Sequence, residues 1–290
     1  MNNKYDVAII GGGPSAIFAA YELVLNNPTV RVVMIEEGHD IYHRQCPIAT
    51  KKVSHCVNCK VCDIMRGFGG AGAFSDGKYN FTSEFGGWLN EYISNKEVEE
   101  LIDYVDAINL SYGAPQEFFT TKNSSIRKTA LNFDLHLLQA KVRHLGTENN
   151  LRILKCMYEF LKEKITILVD KHVEEFEKQD AGFAVKIKNR EQQIHCDYLI
   201  AAPGRSGSEW FSDKCRKLGL QMISNQVDVG VRVEIPAEIF QHITDEVYEA
   251  KLVYRTKQYG DLVRTFCMNP NGYVVAENTD GIVTVNGHSF

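Results

Sequence analysis

Four cysteines crowd one short stretch of the chain: Cys46, then Cys56, Cys59 and Cys62 in a C-x2-C-x2-C run. Thiolates at this spacing can ligate a 4Fe–4S cluster or hold a tetrahedral zinc ion. A C-x2-C pair can also cycle between dithiol and disulfide and exchange electrons with a redox partner. No proline follows Cys62, and the chain must fold back from Cys46 to complete a set of four, unlike the bacterial ferredoxin run. The spacing leaves three outcomes open: a metal or cluster site, a redox-active pair, or thiols that bind nothing. Cys156, Cys196, Cys215 and Cys267 are scattered singly through apolar segments and read as buried small hydrophobes.

Directly after the cysteines comes GFGGAGAFSDGK, residues 67–78. Gly67, Gly69, Gly70, Gly72 and Gly77 let a backbone approach a ligand closely, and Ser75, Asp76 and Lys78 add polar groups. Phe68, Ala71, Ala73 and Phe74 make the stretch half apolar, which points to a loop lining a phosphate or ring system rather than a solvent loop. Further along, RHLGTEN (143–149) puts Arg143, His144, Thr147 and Glu148 around Gly146. His144, Thr147 and Lys78 are the candidates for proton transfer, although an isolated histidine is more often a hydrogen-bonded structural group. No Ser-His-Asp order and no zinc-protease motif competes with these.

The elements that must position such groups begin at the N-terminus. YDVAII (5–10) reads as a buried parallel strand. It runs into a turn in which Gly11, Gly13 and Ala16 fill the G-x-G-x-x-G/A positions, with Pro14 and Ser15 opening a helix. The first glycine permits the tight turn, the second lets a pyrophosphate approach, and the third small residue lets helix and strand pack closely. The helix N-terminus aims its amides at the anion. A second apolar strand ends at Glu36, placed to accept hydrogen bonds from a ribose. Glu37 competes for that role, but Glu36 directly ends the apolar run.

The chain has 290 residues, 44% of them hydrophobic and 24% charged, with a formal net charge of −5. These are globular values for one large or two moderate domains. The charge, and the lack of a basic cluster longer than HRQCPIATKK, argue against a nucleic-acid partner. No secretory leader and no run of ~20 apolar residues is evident, which predicts a soluble, cytoplasmic protein without membrane contact.

Either FAD or NAD could occupy such a fold. Residues 165–204 read as a buried strand, three antiparallel strands (HVEEFEK, GFAVKIK and QQIHC), and a final buried strand, YLIAAPG. A two-strand start, a long excursion, a β-meander and a return strand resemble the glutathione-reductase-type FAD fold. FAD is therefore expected.

GGPSAI, GFGGAGAFSDGK, RHLGTEN, APGRSG around Pro203, VGVRVE and MNPNGYVVAE together resemble the bacterial and archaeal family of uncharacterised FAD-dependent dehydrogenases, the NAD(P)/FAD-dependent oxidoreductases. The likeness runs from Tyr5 to about Ser289, and the SDGK loop is its most specific part. It implies FAD as cofactor and a small-molecule redox substrate or electron donor, with NAD(P)H as a transient reductant. Cofactor contacts are then expected at Gly11, Gly13, Pro14, Ser15, Ala16 and Glu36, at Gly69, Gly70, Gly72, Ser75, Asp76, Gly77 and Lys78, and at Ala202 and Gly204. Family members continue further, which implies that this chain is C-terminally truncated within its substrate domain.

The expected architecture is α/β. A Rossmann-like, FAD/NAD(P)-binding parallel sheet with a β-meander forms a discontinuous domain of residues 1–85 and 131–228. An interleaved, partly truncated α+β substrate domain takes 86–130 and 229–290. Within it, residues 86–130 read as mainly helical, with Trp88, Leu89, Tyr92, Ile93, Val98, Leu101, Ile102, Val105 and Ile108 as the core face. A helix at about 150–164 packs through Leu151, Leu154, Met157, Tyr158 and Leu161. A helix after Gly204 is capped by Ser206 or Ser208, VDVGVRVEIP begins a β-rich region, and a hairpin turns at Asp280-Gly281. Two functional readings follow: an FAD-dependent oxidoreductase, or a non-catalytic nucleotide-binding scaffold with a cysteine-bound structural metal.

Overall fold

A computed structural model describes residues 3–75, 77–83, 85–224, 227–279 and 282–288. The chain forms two compact units, Met1–Phe74 with Leu151–Asp228, and Ser75–Asn150 with Val229–Phe290. The first unit opens with β1 (Lys4–Ile10), α1 (Pro14–Asn26) and β2 (Val32–Ile35). The second takes β3 (Lys78–Asn80), α2 (Asn95–Ser111), β4 (Phe119–Thr120), α3 (Ser125–Leu131), β5 (Leu135–Leu137) and β6 (Lys141–His144). Helix α4 (Thr147–Lys162) leads back to the first unit, followed by β7 (Thr166–Leu168), β8 (Val173–Lys178), β9 (Phe183–Ile187), β10 (Ile194–Ala201) and α5 (Ser208–Lys217). The second unit closes with α6 (Ala237–Val247), β11 (Leu252–Arg255), β12 (Leu262–Arg264), β13 (Tyr273–Thr279) and β14 (Ile282–His288). The division falls at Phe74/Ser75 and Asn150/Leu151, not at 85 and 131, because β3 pairs with β6 and carries its flanking residues into the second unit.

The first unit is an α/β layer around a six-stranded sheet in the order β7-β2-β1-β10-β9-β8. The β7–β2, β2–β1 and β1–β10 pairs are parallel, and β10–β9 and β9–β8 form an antiparallel meander. Ile10 lies opposite both Ile35 and Ala201, and Ile35 opposite Leu168, so four parallel strands end in line. Their apolar runs are buried, as parallel strands require. Ala16, Ile17 and Ala20 of α1 are fully buried, as are Ile153, Met157 and Leu161 of α4. Trp210 and Phe211 of α5 pack on a cluster that includes Ala8, Val33, Phe176 and Val185. Each such burial contributes up to about 1.5–3 kcal/mol for a large side chain.

Several expectations are corrected here. QQIHC and YLIAAPG belong to one strand, β10, which pairs with β9 near its start and with β1 along its length. Polar His195 and Asp197 mimic a break in the sequence, but the strand runs through them. The α5 N-cap is Gly207 without a side-chain bond, so neither Ser206 nor Ser208 caps it. In α4 the buried stripe includes Ile153, whereas Leu151 and Leu154 are half-buried. Residues 227–236 form no strand, and Val227, Val229, Val231 and Val233 stand exposed. The turn at Asp280 and Gly281 lies outside the described residues; its flanks β13 and β14 pair antiparallel.

In the second unit, α2 starts at a reciprocal cap in which the Ser94 hydroxyl accepts from the Glu97 amide and the Glu97 carboxylate accepts from the Ser94 amide. Its buried positions are Val98, Asp106, Ile108 and Asn109, while Trp88, Leu89, Tyr92 and Leu101 are exposed. The apolar stripe fails as a core predictor because a buried charge displaces part of it. Arg143, 1% exposed, donates from Nε and Nη2 to the two Asp106 oxygens at 2.7 Å each. Small sheets β12-β11-β5 and β3-β6-β4 complete the α+β unit with the β13–β14 pair. No helix among the described residues is long and apolar enough to cross a membrane.

A second buried charge cluster lies here. Glu249, 2% exposed, bridges Lys78 Nζ at 3.0 Å and Lys251 Nζ at 2.6 Å, and both lysines are also buried. Burial pushes the Glu249 carboxyl up, but the two ammonium groups outweigh it and hold its pKa below the ordinary carboxylate value. A depressed folded-state pKa gives stability that is present above the unfolded value and is lost as pH falls through the folded one. Replacing Glu249→Gln should cost roughly 3–5 kcal/mol at pH 7, because two buried cations lose their counter-charge. The gap from wild type should narrow as pH falls from the ordinary carboxylate range toward the depressed folded-state value, because the unfolded wild-type chain takes up a proton there before folded Glu249 does. Denaturant unfolding at pH 7 and pH 3 checks this; an equal gap at both would refute it.

Candidate dinucleotide site

The aligned strand ends build the site. The Gly11 amide donates to Ile35 O at 2.8 Å and the Ala202 amide to Ile10 O at 2.8 Å, which stitches the ends of β1, β2 and β10 together. Gly11 has φ +106°, and a Cβ there would fall 2.2 Å from Ala202 O, so the fold itself demands glycine. Gly13 is the N-cap of α1 with φ −77°, Pro14 occupies the first turn, and Ala16 is fully buried where helix meets sheet. The Gly12 carbonyl accepts the Gly69 amide at 2.8 Å, which draws the glycine segment against this turn.

Glu36, just past the end of β2, anchors that segment. Its Oε1 accepts the amides of Gly38 and Gly67, each at 2.8 Å. Its Oε2 faces Gly12, where a Cβ would lie 3.0 Å away. Glu37 instead pairs with Arg66 Nη1 at 3.1 Å and His172 Nδ1 at 2.9 Å. Both acids line a cavity at the strand ends, Glu36 buried and Glu37 half-buried.

Arg44, 4% exposed, completes the anchoring. It donates to four main-chain carbonyls: Asp63 at 2.9 Å, Ile64 at 3.1 Å, Phe68 at 2.7 Å and Gly67 at 3.5 Å. Its guanidinium also stacks over Phe74 at 4.9 Å. Burial pushes its pKa down to about 10, opposed by Glu36, Asp63 and Cys62, so it remains charged at neutral pH. Sequence reading passed over this residue because a lone arginine in HRQC carries no motif.

A cavity of about 360 Å³ opens at the strand ends. Of the expected contacts, Gly11, Gly13, Pro14, Glu36, Gly70, Gly72, Ala202 and Gly204 line it. Ser15, Ala16 and Gly69 are not part of its lining. Ser75, Gly77 and Lys78 belong to the second unit, and Asp76 lies outside the described residues. The cavity is also lined by Met65, Arg66, Lys171, His172, Arg205 and Trp210, which sequence reading missed. Lys171 and His172 follow β7 much as Glu36 follows β2; residues just past a parallel strand's carboxyl end were the available signal.

The three candidates for proton transfer lie in the second unit. Lys78 and His144 are register partners across β3 and β6, and the ring of Tyr248 relates to both. His144 Nε2 lies 2.9 Å from the Tyr248 hydroxyl. Lys78 Nζ reaches Glu249, Cys267 Sγ at 3.1 Å and Met268 O at 2.8 Å, so its ammonium serves internal contacts. Thr147 opens α4 and is half-buried.

The four clustered cysteines do not converge. Among the described residues, no group of three or more His, Cys, Asp or Glu side chains is arranged to hold a metal. Cys56 and Cys59 are exposed and Cys46 and Cys62 half-buried, all as free thiols. The backbone after Cys46 turns on itself, with Thr50 and Lys52 amides donating to Cys46 O and Pro47 O, and carries Cys46 through a turn of its own. The metal or cluster reading therefore does not fit this arrangement. Of the four scattered cysteines only Cys196 is buried, its thiol pushed up to about 11 by burial, whereas Cys156 is exposed and Cys215 and Cys267 are half-buried, contrary to expectation.

A glycine turn, an acid past the second strand and a cavity at a parallel sheet's carboxyl edge define a dinucleotide-binding domain. The chain belongs to the FAD binding domain family, which it matches over residues 4–235. An uncharacterised protein of Clostridium beijerinckii is 26% identical over 97% of this chain, which spans 48% of that relative's length. Among solved structures, glycine oxidase from Geobacillus kaustophilus is 15% identical over 76% of this chain and 60% of its own, with a TM-score of 0.38. L-amino acid deaminase from Proteus vulgaris is 12% identical over 76% of this chain and 51% of its own, with a TM-score of 0.40.

Replacing Arg44→Met keeps the volume but leaves four carbonyls without their charged donor. Stability of the first unit should fall by roughly 2–4 kcal/mol, a shift of about 5–15 °C in midpoint for a unit of this size. Arg44→Lys should recover only part of it, since one ammonium cannot span the same carbonyls. Thermal unfolding checks this, and a shift below about 1 °C for Arg44→Met would sink the anchoring role.

Proposed function

We propose that this chain is the FAD-binding part of a flavin-dependent oxidoreductase acting on a small-molecule redox substrate. The observation that carries this reading is the cavity at the aligned strand ends, with Gly13 bare toward it and Glu36 at the end of β2. The residues present fit the cofactor. A Cβ on Gly13 would find no atom nearer than Gly70 Cα at 3.9 Å, so space is left beside the α1 N-terminus for a pyrophosphate. Glu36 has one oxygen committed to main-chain amides and the other available to accept from ribose hydroxyls. Lys171 and Arg205 add positive charge to the cavity lining, while Arg66 is paired there with Glu37. Bound FAD would supply hydride or electron transfer.

The protein's part is binding, orientation and exclusion of water. The sequence contains one dinucleotide fingerprint, so the electron donor is read as a transient visitor, with NAD(P)H the first to test. His144, Lys78 and Thr147 remain proposals for proton handling on the substrate side, with Tyr248 as the partner of His144.

Titrating the purified chain with FAD should give saturable binding and a protein-bound flavin absorbance near ~450 nm that bleaches on anaerobic reduction. Gly13→Val should keep the wild-type circular dichroism spectrum and melting midpoint, because its backbone angles suit any residue, yet lose at least about tenfold in FAD affinity. Gly11→Ala, by contrast, should be destabilised even without ligand. A Gly13→Val protein that binds FAD as wild type does would overturn this site.

A further inference from the structure

The cysteine segment is not an idle loop, because its two ends are fastened to the wall of the dinucleotide cavity. Arg44 Nε and Nη2 hold the carbonyls of Asp63 and Ile64, and the Gln45 amide donates to Asp63 Oδ2 at 3.1 Å. Cys62 stands at the exit of the loop. Its carbonyl accepts both the Met65 amide at 3.0 Å and the Arg66 amide at 2.8 Å. Met65, Arg66 and Gly67 line the cavity, and the Gly67 amide is the one that Glu36 holds. A single turn, 62–66, therefore joins a thiol to the cofactor wall. Three residues upstream stands Cys59, exposed and free.

Resting on the FAD reading of the cavity, we propose that Cys59 and Cys62 form a thiol-modification site that takes a low-molecular-weight disulfide and, on closing, weakens cofactor binding. The chemistry is thiol–disulfide exchange. One cysteine thiolate attacks the incoming disulfide, such as oxidised glutathione, forming a mixed disulfide and releasing one small thiol. The other cysteine then displaces the second. One S–S bond is broken and one formed, the two cysteines lose two electrons and two protons, and two small thiols carry them away. A disulfide holds its two Cα atoms roughly 4.4–6.8 Å apart with a fixed torsion, and in this proposal that constraint acts on Cys62, whose carbonyl caps the 62–66 turn. Met65 and Arg66 then lose their shared acceptor, and Arg44 is drawn with Asp63 and Ile64 away from Gly67 and Phe68.

The test uses the full chain, reduced or equilibrated with excess oxidised glutathione, with FAD affinity read by flavin fluorescence and the new bond located by peptide mapping. Oxidation should raise the FAD dissociation constant about tenfold. Cys59→Ser should bind FAD as reduced wild type does and ignore the oxidant, whereas Cys56→Ser should still respond. Hydrogen exchange at the 65–67 amides should rise on oxidation in wild type and not in Cys59→Ser, with or without FAD. Unchanged exchange there, a bond that maps to other cysteines, or stoichiometric zinc or iron in the reduced protein would each overturn the proposal. Absence of FAD binding by the reduced protein would defeat the cofactor reading instead, and the exchange measurement would still decide whether the loop is coupled to the wall.

Discussion

The first unit depends on a buried positive charge with no carboxylate bonded to it. Arg44 stands at the entry of one excursion of the chain and is bonded to four main-chain carbonyls at its exit, those of Asp63, Ile64, Gly67 and Phe68. A glycine-rich segment has little side-chain packing of its own, and its backbone is the most costly to order. Arg44 supplies the ordering from one side and Glu36, through the Gly67 amide, from the other. Opposite charges act on the same residue, Gly67, the cation on its carbonyl oxygen and the anion on its amide nitrogen. Removal of either would leave buried main-chain groups without partners, which ties the shape of the cavity to both.

The sheet sets where this happens. Four parallel strands ending in register bring Gly11, Glu36 and Ala202 to one edge, and Lys171 and His172 follow β7 to the same place. At such an edge the connections diverge and leave a crevice. The meander of β8 and β9 lies on the other side of β10 and has no share in that edge beyond Val173. It widens the sheet and covers apolar surface rather than adding chemistry.

The fingerprint was legible because it is local: a strand, a turn and a helix start that need no distant partner. What stayed hidden depends on partners far away in sequence. Asp106 reads as part of a solvated helix face until Arg143, from another element, makes it buried. Lys78 reads as a ligand group until Glu249, over a hundred and fifty residues later, claims its charge. Arg44 reads as one more surface cation until the carbonyls of residues 63–68 close on it. The spacing of Cys46, Cys56, Cys59 and Cys62 suggested a ligand set, but spacing constrains thiols only where the backbone between them is free to fold inward. Here the segment turns on itself after Cys46 and again after Cys62, and no three of its ligand-type side chains gather, among the described residues, to hold a metal.

The glycines of the first turn separate what the fold requires from what a ligand requires. Gly11 is glycine for the protein's own sake, since a Cβ would strike the Ala202 carbonyl and the backbone is left-handed. Gly12 has no room beside Glu36, whose carboxylate must stay where it holds Gly38 and Gly67. Gly13 is different in kind. Its backbone is extended, its would-be Cβ meets nothing closer than ordinary van der Waals contact, and the fold would accept a side chain there. The space a side chain would fill opens toward the cavity, at the end of a helix whose free amides favour an anion. With the protein's own packing satisfied either way, the proposed cofactor gives the reason for leaving that space open.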